Sequence, residues 1–419
     1  MTNPFKAWLN RWLPDLDHRI WILAGGRLLS QIGIGFTLFY APIFFVDQVG
    51  LTATQVGLGL GIGSLAGMLG RFLGGSMADS PRWGRRPILL GSALVSALAD
   101  LGLVLANDFP IFVLGNVLMG FGIGLYWPST EAVVADITPE ASHSEAFALV
   151  RLADSLGLGV GVIFGGWLIA ATGAYRALFV IDGVTYLLFF ALVYFTIAET
   201  LAVQVDRPSI WRGWGQALSN ASLLIYVLVN VLFTTYLAQV QSTLPVYFHQ
   251  FVGNDAARQG LSEATLSLLF TWHVVLAAGL QMPVARRLTA LSQTRGLMIS
   301  ACLWGMGFTL VGLAGISGTF PVAWAAAALS IMALAMVAYT PIASALVVML
   351  APKSQRGIYL SINSMCWAVG YAVGPPLGGW ALDQGAAIAN GFWIIMALTV
   401  VPALGILHFL EQRLDQRLE

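Results

Sequence analysis

The sequence predicts an all-α integral membrane protein with twelve transmembrane helices. Apolar residues (Ala, Val, Ile, Leu, Met, Phe, Trp, Tyr and Cys) make up 58% of the 419 positions and charged residues only 10%, against about 25% charged in an average soluble domain. Twelve mostly apolar runs are long enough to cross the hydrocarbon core, which takes about 20 helical residues. The second half of the chain also repeats the residue spacing of the first.

The twelve apolar runs, here called spans 1 to 12, are separated by charged residues, Pro or clusters of Gly. No cleavable signal pattern opens the chain, so we expect residues 1–18 to remain as a cytoplasmic segment, and residues 412–419 to form a cytoplasmic tail. The spans are predicted at residues 19–46, 54–78, 87–106, 110–135, 146–171, 176–198, 222–248, 262–285, 296–316, 321–350, 358–382 and 388–410.

Lys and Arg residues concentrate on one side of the predicted spans. If the N-terminus is cytoplasmic, fifteen of the 20 lie in cytoplasmic segments, and only Arg176 and Arg258 lie in outer loops. Loops rich in Lys and Arg stay on the cytoplasmic side during insertion. We therefore expect a multi-pass protein of the cell membrane, the inner membrane in a Gram-negative type of cell, with both termini cytoplasmic.

The second half of the chain is a repeat of the first. An offset of 213 residues aligns Tyr126 with Tyr339, and Gly165-Gly166-Trp167 with Gly378-Gly379-Trp380, without a gap. An offset of 203 residues aligns the outer ends of spans 1 and 7. Two parallel six-helix halves with a substrate site between them are a transporter design. The predicted organisation is a bundle at residues 19–198, a cytoplasmic linker at 199–220 and a second bundle at 221–411.

The sequence argues against other classes of protein. The formal net charge is zero and no basic tract is present, so nothing favours nucleic-acid binding. No metal-ligand cluster, catalytic constellation or nucleotide-binding loop lies in or beside the spans, so we expect neither an enzyme nor a metal or cofactor. A sensor would add a soluble domain, which is not predicted. The expected partners are a small-molecule substrate, protons and the lipid bilayer, and we expect a monomer.

The loop between spans 2 and 3 carries a charged motif. It reads Gly75-x3-Asp79-x4-Gly84-Arg85-Arg86, which places an acid, a Gly turn and two cations at the predicted cytoplasmic surface. The loop resembles the signature Gly-x3-Asp-x2-Gly-Arg-Arg of the major facilitator superfamily, with two more residues after the acid. Span number, duplication and linker agree with that superfamily over essentially the whole chain. The resemblance implies the major facilitator fold.

The resemblance also implies a conformational latch. Asp79 would face the start of span 11 near Gly357, and Arg85 or Arg86 would pair with Asp136 at the end of span 4. This contact between the halves would hold the outward-open state. The equivalent loop after span 8 has arginines but no acid, so the latch is expected on one side only.

Span 5 contains a second motif with a family resemblance. Its pattern Gly157-x3-Gly161-x3-Gly165-Gly166 is similar to the glycine-rich antiporter motif of the drug-efflux branch. Val162 stands where that branch has Pro, and a Gly-Pro step occurs in span 11 instead. The pattern is closest to the twelve-helix drug:proton antiporters.

Ionisable residues inside the spans are the candidates for proton coupling, because charge within a bilayer is costly. Arg27 and Asp154 each lie about eight residues from the cytoplasmic ends of spans 1 and 5, a depth of about 12 Å. Arg151 precedes Asp154 by one turn, and Glu131 lies near the inner end of span 4. We expect these residues to form a neutral network whose protonation changes with access to water. The alternative is a static set of buried salt bridges.

Three further ionisable residues lie within predicted spans. His273 in span 8 is the comparable candidate of the second half, although a lone histidine in a membrane is more often hydrogen-bonded packing. Asp100 in span 3 and Asp182 in span 6 lie toward the outer ends of their spans. We expect these two carboxyls to reach interfacial water.

Spans 1, 4, 7 and 10 should line a central cavity by resemblance to the superfamily. Aromatic and amide side chains there suit amphiphilic ligands, since they offer large apolar contact and few obligatory polar partners. The substrate-binding candidates, two of them from span 11, are Gln31, Tyr40, Trp127, Asn230, Tyr236, Gln239, Tyr339, Asn363 and Trp367.

These observations together predict a secondary active transporter that works by alternating access, with proton-coupled efflux of amphiphilic or hydrophobic small molecules. The alternative is a proton-linked or facilitative importer of a small polar metabolite. The second half has no acid deep in a span, and the candidate cavity is mostly amide and aromatic. Both features favour efflux over uptake of a charged nutrient.

Overall fold

All regular secondary structure in the described part of the chain is helical. The computed structural model describes residues 16–78, 80, 82–139, 142–201, 210–253, 260–288, 291–317, 319–352 and 356–416. Within these residues, eleven helical segments are long and apolar enough to cross a membrane. The helix predicted as span 11 is of full length but is not among them, because Ser, Asn, Gly and Pro residues dilute its apolar ones. The protein is therefore a multi-pass helical membrane protein.

The helices agree with the predicted spans to within a few residues. One additional helix, Ile210–Leu218, lies in the segment predicted as a linker, and the predicted N-terminal segment lies outside the described residues up to position 15. The helices, in order from span 1 to span 12, are His18–Thr37 with Tyr40–Asp47, Ala53–Ala78, Arg85–Leu105, Phe109–Ile137, His143–Thr172, Tyr175–Thr196, Ala221–Gln241 with Thr243–Phe251, Glu263–Leu288, Gln293–Ile316, Pro321–Leu350, Arg356–Asp383, and Ala386–Leu398 with Val400–Asp415.

Polar residues fix where several of these helices begin. The side chain of Asp108 accepts a hydrogen bond from the backbone N–H of Ile111 at 3.0 Å at the start of span 4. Asn220 accepts from the N–H groups of Ser222 and Leu223 at the start of span 7. These caps satisfy N–H groups that have no partner inside the helix.

Glycines bring equivalent pairs of spans into close contact in the two halves. A Cβ atom added to Gly157 in span 5 would lie 2.8 Å from the Cβ of Gln31 in span 1. One added to Gly370 in span 11 would lie 2.7 Å from the Cβ of Thr234 in span 7. Gly370 follows Gly157 by 213 residues, and Thr234 follows Gln31 by 203. The contact between spans 5 and 1 is therefore repeated between the equivalent residues of spans 11 and 7. The glycines of the span 5 motif therefore let the backbone of span 1 approach closely.

Two pairs of spans join the first half to the second. Span 2 packs along span 11, where a Cβ atom on Gly57 would overlap the carbonyl oxygen of Pro375. At the outer end of this pair, Asp383 accepts hydrogen bonds from the backbone N–H groups of Ala53 and Thr54 at 2.9 and 2.8 Å. Span 5 similarly packs on span 8.

Further polar and aromatic contacts close the two halves together at the predicted outer face. The Oδ2 of Asp47 lies 3.0 Å from the Nε2 of His249. The hydroxyl of Tyr175 donates a hydrogen bond to Glu263 at 2.6 Å. Deeper in the membrane, Phe39 and Phe270 stack with ring centroids 4.4 Å apart. All three contacts cross between the halves.

We expect the span 2–span 11 contact to tolerate no side chain at Gly57. Gly57→Ala should lower the free energy of unfolding by about 1–3 kcal/mol, because overpacking displaces the backbone of span 11. Gly91→Ala is the matched control, since an added Cβ there meets no atom within 4 Å, and it should be neutral or stabilising by up to about 1 kcal/mol. Denaturation in mild detergent measures both. Equal effects would mean that the two spans are not in close contact.

Candidate functional site

A buried ion pair lies between spans 1 and 5. Arg27 is 1% exposed, and its Nε donates a hydrogen bond to the Oδ1 of Asp154 at 2.9 Å. Its Nη2 donates a second one to the Oδ2 of the same carboxylate. Bidentate pairs of this kind are strong and fix the orientation of both side chains. Asp154 is therefore neutralised within the first half.

A second ion pair adjoins the first but is open to solvent. Arg151 Nη2 lies 3.2 Å from Glu131 Oε1, and the two side chains are 62% and 44% exposed. Trp127 lies between the pairs, because the guanidinium carbons of Arg27 and Arg151 lie 4.9 and 5.3 Å from its ring centroid. Cation–π attraction holds each guanidinium over the indole.

The structure thus brings together the four predicted proton-coupling residues of the first half, but as two pairs. Arg151 precedes Asp154 by one turn, yet it contacts Glu131 rather than Asp154. One pair is buried and the other is exposed. Of these two pairs, only the second reaches the surface of the protein.

The equivalent layer of the second half is neutral. Asn230 follows Arg27 by 203 residues, and its Oδ1 accepts a hydrogen bond from the hydroxyl of Tyr339 at 2.6 Å. Its Nδ2 donates to the Oδ1 of Asn363 at 2.9 Å, and Tyr226 donates to the same oxygen at 2.6 Å. Amides and phenols therefore occupy the level at which the first half holds charges.

Several predicted substrate-binding residues turn away from the cavities described below. Tyr40 donates a hydrogen bond to the carbonyl of Val162 at 3.1 Å, and Gln239 donates to the carbonyl of Gly374 at 2.7 Å. Tyr236 shares a hydrogen bond of 2.7 Å with Thr399. Like Asn230 and Tyr339, these side chains are buried and join neighbouring helices of one half. The expectation that they face a cavity is corrected for this conformation.

One cavity between the halves, called the main cavity here because the residue next to Asp154 lines it, has a volume of about 130 Å³ and mostly apolar walls. His273 is 3% exposed, contacts this cavity and forms a hydrogen bond of 2.9 Å through Nδ1 with the carbonyl of Leu329. Most of the other lining residues were not predicted from the sequence, although Ser155 directly follows Asp154. The polar lining residues are Ser155, Gln241, His273, Gln281 and Thr340.

A second cavity of about 290 Å³ lies among spans 2, 4 and 11. Trp367, a predicted substrate-binding residue, lines it. Arg71 also lines it and donates hydrogen bonds to the carbonyl and hydroxyl of Ser364 at 3.0 and 2.9 Å. Gln31 and Trp127 instead line a small cavity of about 20 Å³ inside the first half.

The motif after span 2 forms contacts within the first half. The guanidinium of Arg85 in span 3 pairs with Asp136 in span 4, and Arg86 donates to the carbonyl of Tyr194 at 2.7 Å. Asp79 lies outside the described residues, so its expected position near Gly357 is not described. The Arg85–Asp136 pair was expected to join the two halves, but it joins two spans of one half, because Arg85 belongs to span 3 and Asp136 to span 4.

Glu199 completes this cluster. Its carboxylate accepts hydrogen bonds from the backbone N–H groups of Arg85 and Arg86 at 3.0 and 3.1 Å, at the start of span 3. Burial opposes ionisation, but these donors and the N–H groups of Thr200 and Leu201 hold the pKa of Glu199 below its usual value. Gly84 adopts a φ of 77°, and a Cβ atom there would overlap this carboxylate. Glycine is thus needed for both reasons.

Comparison with known proteins shows the family. The sequence description of the Major Facilitator Superfamily matches residues 23–261 and 254–417, nearly the whole chain. The chain belongs to the major facilitator superfamily. It is therefore a membrane transporter and not an enzyme.

Individual relatives are similar at low identity. "Multidrug resistance protein MdtH" of Aeromonas hydrophila is 26% identical over 89% of this chain and 90% of its own length. A "Na(+), Li(+), K(+)/H(+) antiporter" of Planococcus maritimus is 24% identical over 88% of this chain and 91% of its own length.

Solved structures share the fold. The nucleoside transporter NupG (D323A mutant) superposes with a TM-score of 0.80 at 13% identity, covering 94% of this chain and 99% of that one. A D-xylose-proton symporter gives 0.70 at 16% identity, covering 91% and 96%. At these identities the likeness concerns the fold alone.

The two ion pairs should differ strongly in their effect on stability. Asp154→Asn leaves the charge of Arg27 buried without its carboxylate and should cost about 3–5 kcal/mol. Glu131→Gln breaks an exposed pair and should cost less than about 1 kcal/mol. The double variant Arg27→Gln/Asp154→Asn should recover most of the loss. Denaturation in detergent checks this, and similar costs for both single variants would show that water reaches Asp154.

Proposed function

We propose that this transporter couples the efflux of amphiphilic small molecules to protons, with Asp154 as the coupling carboxylate. The observation that carries the proposal is the buried Arg27–Asp154 pair beside an apolar cavity. Ser155, the residue next to Asp154, lines that cavity. A change in the protonation of Asp154 would therefore act one residue away from its wall.

Protonation of Asp154 would change the forces on span 1. The carboxylate now accepts two hydrogen bonds from Arg27, and a neutral acid would no longer attract the guanidinium. Arg27 would keep only the faces of Trp127 and Tyr126, at 4.9 and 5.7 Å from their ring centroids. The attraction between spans 1 and 5 would thus differ between the ionised and the protonated forms of Asp154. Such a difference in free energy between two states is what coupling requires. Glu131 and Arg151 are exposed, and we propose them as the route by which protons arrive.

The walls of the main cavity favour an amphiphilic and uncharged substrate. Its lining contains Gln, Ser, Thr and one His, and no Asp, Glu, Lys or Arg among the described residues. A charged ligand would lose its hydration there without a counter-charge. The printed names of relatives, multidrug resistance protein and cation/proton antiporter, are compatible with this class and mechanism.

The setting of the transporter is also part of the proposal. We infer that both termini are cytoplasmic, that the two bundles of residues 19–198 and 221–411 alternate about the cavity, and that a monomer of the inner membrane is the working unit. The contacts at Asp47, Tyr175 and Asp383 then close the outer side. Asp79 of the latch would act in the opposite state.

Transport in inverted membrane vesicles tests the coupling. Respiration acidifies their lumen, so an exporter should accumulate a neutral fluorescent amphiphile inside them, and a protonophore should release it. Asp154→Asn should abolish this accumulation while downhill exchange persists, because binding is retained and coupling is lost. The double variant Arg27→Gln/Asp154→Asn repeats the test in a protein without the uncompensated buried charge.

The matched control is Glu411→Gln, which breaks the Arg295–Glu411 pair of 2.8 Å at the surface of the second half. It should transport as the unmodified protein does. Gradient-driven accumulation with unchanged pH dependence in Asp154→Asn would make the buried pair structural and leave His273 as the next candidate. Accumulation only in right-side-out vesicles would instead identify an importer.

A further inference from the structure

Two buried carboxyls of the first half lie together, far from the ion pairs described above. Asp100 in span 3 and Asp182 in span 6 are each 1% exposed, and a Cβ atom added to Gly183, the residue after Asp182, would lie 3.2 Å from the Cβ of Asp100. The expectation that they reach interfacial water is therefore wrong. Their helices pack against each other, which turns both side chains inward rather than toward the membrane surface.

The surroundings of this acid pair leave most of its oxygen atoms without a partner. Both carboxyl oxygens of Asp100 and the Oδ1 of Asp182 are buried and form no hydrogen bond. The Oδ2 of Asp182 accepts one weak hydrogen bond, of 3.3 Å, from Thr37 in span 1. A Cβ atom on Gly33 would overlap Asp182 Oδ1, so the carboxyl packs directly on the backbone of span 1.

No described cation neutralises the pair. Arg176 at the outer end of span 6 donates instead to the carbonyl of Val104 and to Asn107. The other cations of the packed helices bond elsewhere: Arg19 with Asp17, Arg27 with Asp154, Arg85 with Asp136 and Arg86 with the carbonyl of Tyr194. The phenol of Tyr186 lies one turn after Asp182 on the same helix. Two adjacent carboxylates cannot both stay ionised in a low-dielectric interior, so one of them retains a proton or the pair binds a cation.

A small cavity with several hydroxyl groups in its lining lies one helical turn below the acids, toward the predicted cytoplasmic side. Ser96 is four residues before Asp100 and Tyr186 four residues after Asp182, and both line it. Its volume of about 20 Å³ has room for about one water. The hydroxyl of Ser30, 2% exposed, also lines this cavity and forms no hydrogen bond within the protein. Trp127, whose ring lies against the guanidinium of Arg27, also lines this cavity.

We propose that Asp100 and Asp182 form a second proton-binding site in the first half, in which the two carboxyls share a proton that exchanges through this cavity. The O–H of the protonated carboxyl donates to the ionised one, which supplies the partner that the unpaired oxygens lack. The proton would pass from the acids by way of Ser96 and Tyr186 into this cavity, which Trp127 also lines. This inference does not depend on Asp154 as the coupling residue.

Infrared spectroscopy of the full-length protein in a detergent without ester groups tests the site, because lipid esters absorb in the same region as a protonated carboxyl. A protonated, buried carboxyl gives a C=O stretching band that is distinct from those of carboxylates and amides. We expect such a band at neutral pH, its shift after transfer to D₂O, and its loss in the double variant Asp100→Asn/Asp182→Asn. Asp108→Asn, which replaces an exposed acid of the same half, and Asp154→Asn should both keep the band.

The outcomes separate this site from the proposed transport function. The absence of the band in the unmodified protein at neutral pH would overturn the proposal without any variant, as would its persistence in the double variant. A band that does not shift in D₂O would overturn exchange through the cavity. The thermal stability should be the same in Na⁺, Li⁺ and choline. If Na⁺ or Li⁺ stabilises the unmodified protein but not the double variant, the pair binds a metal cation instead of a shared proton. Transport that fails to depend on Asp154 would leave all of these results unchanged.

Discussion

A charge in the hydrocarbon core needs a partner within the protein, and in this chain that requirement ties span 1 to span 5. The side chain of Asp154 is short, so it reaches Arg27 only because the two backbones lie unusually close. Gly157 and Gly161 make this approach possible, since a Cβ atom at either position would overlap span 1. The glycine motif and the buried ion pair are therefore one structural unit, in which the first positions the second.

The second half shows what this unit looks like without its charges. Gly370 and Gly374 pack on span 7 as Gly157 and Gly161 pack on span 1, yet Asn230 stands in the place of Arg27 and Trp367 in that of Asp154. The packing alone does not require an ion pair. A buried ion pair is often no more stabilising than apolar residues of similar size. This asymmetry between repeats favours a functional role for the charges of the first half.

The sequence predicted the helices well, because apolar runs and their charged or glycine-rich ends follow directly from the demands of a bilayer. It also predicted which ionisable residues share a depth. It did not predict which way a side chain faces, since the spans are apolar on most sides and lack a clear polar face. Asn230 and Tyr339 were therefore assigned to a cavity, although they bond to each other. The meeting of Asp100 with Asp182 depends on the pairing of spans 3 and 6, for which no sequence signal was available.

The division of polar chemistry between the halves has a consequence for coupling. The buried acids Asp100, Asp154 and Asp182 all lie in the first half. Most of the main cavity is instead lined by spans 7 to 10 of the second half. A proton and a substrate would therefore contact different halves. They would affect each other only where the first half reaches the described lining, at Leu38 and Phe39 of span 1 and at Ser155 and Leu158 of span 5. Spans 1 and 5 are also the helices joined by the buried ion pair, so a change in that pair is transmitted to the substrate through the only helices of the first half that touch the described lining.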